Sequence, residues 1–165
     1  MRITGTNIKM RGMGDEAFAG IHNWRAVDGR IGTSGQPTEK QLGDIATAGY
    51  RTVINLALHD DSRYSLPDER RTVEDLGMAY IHVPVQFASP TDEDLARFFD
   101  AMDANEDRKV WVHCAANMRV SAFLGLWWIK RQGWEREKAF ELLRGLWEPN
   151  DTWSAFIGRS LQRGG

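Results

Sequence analysis

The chain has 165 residues, 42% hydrophobic and 27% charged, which suits one globular domain large enough to bury a core. A formal net charge of −2 excludes a general attraction to nucleic acid or to anionic membranes, so any anion must be held by a local site. The single cysteine excludes an internal disulfide and implies a reducing, cytoplasmic setting.

Residues 1–20 are polar and Gly-rich and lack the apolar stretch of a signal peptide. They are expected to form an N-terminal extension ahead of a domain over residues 21–165. Residues 24–38 predict two short strands around an Asp28-Gly29 turn. Thr38 opens a helix with Leu42, Ile45 and Ala46 at helical spacing, and Gly49 ends it. Residues 51–58 read as a buried strand. A polar loop follows, with Pro67 near the start of a helix that Gly77 closes.

Residues 79–85 alternate, setting Ile81, Val83 and Val85 on one face of a strand. Thr91, with Asp94 three residues on, resembles a capping box, and Leu95, Phe98, Phe99 and Met102 make an apolar helical stripe. Residues 109–113 are the next strand. An apolar helix then runs from Arg119 to Lys130; its run 122–129 is far shorter than the about 20 residues of a membrane span, so no membrane is expected as a partner. One helix carrying Ala139, Leu142, Leu143 and Leu146 follows, and a last one near residues 152–162. Seven tryptophans are present, and Trp127, Trp128, Trp134, Trp147 and Trp153 are expected to pack these last helices. Strands alternating with helices predict an α/β fold: a mainly parallel sheet of four to five strands with helices on both faces.

The stretch "VHCAANMRVS", residues 112–121, places the lone Cys114 between a strand and a helix. A strand-loop-helix turn aims backbone N–H groups and the helix dipole at one point, a geometry that binds anions. The same donors favour a thiolate at Cys114. Arg119 offers a planar fork for two phosphate oxygens, although a cation at a helix start opposes the dipole. Together these parts suit in-line attack on phosphorus. Each also has a plainer reading: Cys114 and His113 as core residues, Arg119 as a surface residue, and Ser121 as a neutral first-turn residue. No cluster of residues has metal-ligand spacing, and neither metal nor cofactor is expected.

This stretch resembles the signature of cysteine-based protein-tyrosine and dual-specificity phosphatases, His-Cys-x-x-Gly-x-x-Arg-Ser/Thr. "GRIGTSGQPTEKQLGDIATAGYRTVINL" and "GMAYIHVPV" resemble the opening and the pre-acid strand of their compact bacterial forms. The resemblance covers roughly residues 24–147 and implies a dual-specificity phosphatase-like fold. It further implies Cys114 as nucleophile, Ala115, Ala116, Asn117 and Met118 as the phosphate cradle, and Arg119 as the clamp. Ser121 would ease loss of the thiolate, and His113 would support the loop. The expected substrate is a phosphorylated protein or small molecule, turned over through a cysteinyl-phosphate.

Three departures stand out. Four residues, not five, separate Cys114 from Arg119. Asn117 replaces the loop glycine, as the non-Gly residue best suited to positive φ. Gln86, Phe87 and Ala88 stand where an aspartate should act as general acid, leaving Asp60, Asp61 and Asp92 as candidates. Without an acid, aryl phosphates should react better than alkyl ones. Two alternatives remain: a pseudophosphatase that binds a phosphorylated partner without turnover, and a sulfurtransferase carrying a persulfide on a loop of Cys-x-x-Gly-x-Arg spacing.

Overall fold

The structure, a computed structural model, describes residues 16–59 and 65–163. Its elements are β1 Arg25–Ala26, β2 Ile31–Ser34, α1 Glu39–Thr47, β3 Thr52–Asn55, α2 Glu69–Asp75 and β4 Ala79–His82. They continue with α3 Asp92–Ala104, β5 Val110–His113, α4 Met118–Gln132, α5 Arg136–Ala139, α6 Glu141–Arg144 and α7 Asp151–Gln162. The strands form one sheet in the order β1-β2-β5-β3-β4, with β1 antiparallel to β2 and the other neighbours parallel. The expected α/β architecture is therefore what forms.

Period-2 alternation builds two cores. Val110 and Val112 of β5 join Ile31 and Ile54 beneath Phe98, Met102, Leu124, Leu143 and Phe156 of the later helices. Trp111 points the other way, against Leu42, Ile45, Val53, Val73 and Tyr80 under α1 and α2. His113 continues the Trp111 side, whereas Cys114, just past the strand, packs in the Val110–Val112 cluster.

The local signals act as their chemistry dictates. Thr38 and Thr91 cap α1 and α3 through full capping boxes with Gln41 and Asp94. Trp127, Trp128 and Trp153 are core residues, and Trp134 stacks on Trp128 at 4.6 Å between ring centroids.

Three expectations need adjustment. Phe18 is buried and its ring lies 4.9 Å from that of Trp111, so the packed body takes in at least Phe18, upstream of the boundary expected at residue 21. The strand expected over 79–85 ends at His82; Val83 and Val85 still donate to Asn55 O and Leu56 O, but Pro84 between them has no N–H to give. The single helix expected through Ala139 and Leu146 is broken at Phe140 into α5 and α6. The break turns Phe140 onto α4, where a Cβ on Gly125 would stand 2.3 Å from its ring.

Candidate active site

Parallel pairing puts Ser34, His113, Asn55 and His82 in one row at the C-terminal ends of β2, β5, β3 and β4. β2 and β3 lead to helices on one face, while β5 between them leads to α4 on the other. A crevice at such a switch point is where open α/β sheets bind ligands. Cys114 sits there, almost fully buried, with its amide donating to Ser34 O at 3.3 Å.

The loop after Cys114 is braced from outside. The Ala115 carbonyl accepts from the Gln36 amide at 3.1 Å, and the Ala116 carbonyl from Asn23 Nδ2 at 3.0 Å. In a trans peptide the N–H opposes the C=O, so these braces turn the Ala116 and Asn117 amides away from Gln36 and Asn23. The first turn of α4 adds amides that have no intrahelical acceptor.

Asn117 takes the left-handed conformation, φ 67, that the missing glycine would supply. Its side chain also donates to Asn23 O and Thr33 Oγ1, both at 3.0 Å. Gly35 explains the tight turn after β2, since a Cβ there would lie 2.4 Å from Ala115 O.

Arg119, the second residue of α4, is 8% exposed. Its Nη1 donates to Val85 O at 2.8 Å, and its guanidinium lies 5.8 Å from the Phe87 ring centroid. Its Nε is buried without a partner, and among the described residues no carboxylate pairs with it. A buried cation with a free donor calls for an anion.

Arg119 thus lies buried in the first turn of the helix that follows the Cys114 loop. Ser121 is differently engaged: its hydroxyl donates to Met118 O at 2.8 Å and accepts from Trp147 Nε1 at 2.9 Å. His113 is fully buried; its Nε2 lies 2.5 Å from Glu69 Oε2 and its Nδ1 3.2 Å from Cys114 O. Gln36 Nε2 donates to the other Glu69 oxygen at 2.9 Å. Burial pushes the Glu69 carboxyl up, but the charge and hydrogen bond of His113, the Gln36 amide and the His59 charge together hold it below its usual range. Burial, and next the Glu69 charge, push the Tyr80 phenol up. His82 is pushed down, first by burial.

The expected acid position holds an aromatic wall. Phe87 packs on Trp147 and Trp153 at centroid distances of 5.8 and 5.7 Å, and Trp153 Nε1 donates to Phe87 O. Asp92 is exposed at the start of α3 and paired with Arg163. Asp60 and Asp61 lie outside the described residues. Sequence reasoning missed Glu69, Asn23, Gln36 and Thr33. Glu69 reads as an ordinary first-turn acid of a helix, and nothing in its neighbourhood of the sequence announces a buried carboxylate.

Residues 20–147 match the family model described as "DSP-PTPase phosphatase fused to NAD+ Kinase", and the chain belongs to this family of cysteine-based dual-specificity and tyrosine phosphatases. A Xylella fastidiosa "Beta-lactamase hydrolase-like protein" is 33% identical over 97 residues, 57% of this chain and 22% of that protein, so the chain spans about a fifth of this relative. A candidate phosphatase of Shewanella putrefaciens CN-32 superposes with a TM-score of 0.79 at 31% identity, covering 88% of this chain and 95% of the other. The P. aeruginosa TpbA protein in complex with phosphotyrosine shares the fold, with a TM-score of 0.65 at 18% identity and coverage of 82% of each chain.

Proposed function

We propose that the domain hydrolyses an aryl phosphomonoester, of phosphotyrosine type, through a cysteinyl-phosphate. The observation that carries the reading is Arg119: a buried guanidinium with an unpartnered Nε, beside a braced loop that opens on a cysteine. Cys114 thiolate attacks phosphorus, and the P–O bond to the leaving group breaks. The amides of Ala115, Ala116, Asn117 and Met118 and the Arg119 fork hold the equatorial oxygens. Water then attacks the thiophosphate, releasing phosphate and the thiolate. His113 supports the loop from behind Cys114. Ser121, through its bond to Trp147, fixes the aromatic wall.

Phe87 in place of a carboxylate supports an aryl substrate twice over. A phenolate leaves without the about 10²–10⁴-fold help of a general acid, and an aromatic leaving group gains contact with an aromatic wall. The phosphotyrosine complex of a protein with the same fold is in keeping with this choice. The test is release of phosphate from para-nitrophenyl phosphate and from phosphotyrosine. Cys114→Ser abolishes release while leaving the fold intact. A Ser variant as active as the parent would make Cys114 structural. Vanadate binding without turnover in the parent would favour the pseudophosphatase, and thiosulfate-to-cyanide transfer the sulfurtransferase.

A further inference from the structure

Behind the catalytic loop lies a buried carboxylate that the phosphatase mechanism does not use. Glu69 is fully buried at the start of α2, and its two oxygens meet Gln36 Nε2 at 2.9 Å and His113 Nε2 at 2.5 Å. His113, also fully buried, has Cys114 O within 3.2 Å of its other nitrogen. A carboxylate and a carbonyl are both acceptors only. The His113 ring therefore stands between two acceptors, Glu69 at one nitrogen and the Cys114 carbonyl at the other. We propose, building on the phosphatase reading above, that Glu69 is a positioning residue: by pairing with His113 it fixes the ring against the Cys114 carbonyl and so fixes the main chain from which the loop amides are aimed.

Three features support the assignment. A buried carboxylate is costly unless donors meet it, and Glu69 is the only described carboxylate paired with His113. Gln36 joins the pair to the brace, because its side chain binds Glu69 while its backbone amide binds Ala115 O. The Glu69 carboxyl is held below its usual range despite its burial, as a carboxylate fixed by two donors should be. The other titratable and charged groups around the pair are His59 beyond β3, Tyr80 and His82 on β4, and Arg70, whose guanidinium lies 5.0 Å from the Tyr80 ring centroid. His59, Tyr80 and His82 stand within hydrogen-bond or ring contact of one another, Asn55 linking His59 to Tyr80, and Arg70 Nη1 donates to Tyr80 O at 3.4 Å.

The experiment compares the parent with variants. Glu69→Gln keeps the side-chain volume and removes the charge. It is expected to lower kcat/KM for para-nitrophenyl phosphate about 10- to 100-fold, with the loss falling on kcat rather than on KM. In a His113→Gln background the same substitution is expected to cost little more, because Glu69 acts through His113. Undiminished kcat/KM in Glu69→Gln, or fully additive losses, overturns it. A parent without turnover sinks the phosphatase reading alone; the affinity for orthovanadate then replaces kcat/KM, with the same two outcomes.

Discussion

At the bend of the loop, Asn117 holds φ 67 and ties Asn23 to Thr33, so one side chain supplies both a glycine's backbone and a brace that glycine lacks. The positive φ was readable from the residue type, but the partners were not: Asn23 and Thr33 stand 94 and 84 residues away in sequence. Titration at single residues is testable too. Folded His82 binds its proton less tightly than the ordinary value of 6.5, because burial disfavours the charge. Between the two values the unfolded chain holds more protons, so falling pH favours unfolding. Glu69 is likewise depressed, from 4.5, and its contribution is present above that value and lost as pH falls through the folded one. The urea midpoint is therefore expected to fall in two acid steps, the first starting near 6.5 and the second below 4.5. His82→Gln should remove the first step. A midpoint unchanged across both ranges would contradict the burial argument.

Among the elements, α4 is the one whose packing decides most. It starts at Arg119's turn, lies buried for most of its length, and accepts Phe140 at Gly125. Replacing Gly125 with Ala gains about 1 kcal/mol of helix propensity, yet its Cβ would stand 2.3 Å from the Phe140 ring and 3.2 Å from Ala139 O. Overpacking of this kind typically costs about 1–3 kcal/mol. Gly125→Ala is expected to be net destabilising, by about 1 kcal/mol, in urea unfolding. A stabilised variant would mean that Phe140 moves freely. Most elements were legible because their signals are local: the caps at Thr38 and Thr91, the alternation in β5, the stripe of α3. The break at Phe140 was not, because it answers to a glycine on another helix. Glu69 was hidden for the same reason, its partners being brought in by β2 and β5.

At the scale of the molecule, the sheet order does what the sequence could only suggest. Inserting β5 between β2 and β3 sets the lone cysteine at the crevice, with the turn after β2 bracing its loop and the segment after β4 supplying Val85 and Phe87 to Arg119. The aromatic wall draws on the same geometry: Trp147 and Trp153 flank α7's start and reach back to Ser121 and Phe87. The four residues between Cys114 and Arg119 are closed by a bridge between Gly35 and Ala116, and the helix begins at Met118. The central claim is that phosphate passes through the sulfur of Cys114. Acid quenching of the parent during turnover of para-nitrophenyl phosphate, followed by mass spectrometry of its peptides, tests this directly. A phosphoryl group on the peptide carrying Cys114, absent from Cys114→Ser, is the result the account predicts. Turnover with no phosphorylated Cys114 peptide, or with the phosphoryl group on another residue, would contradict it.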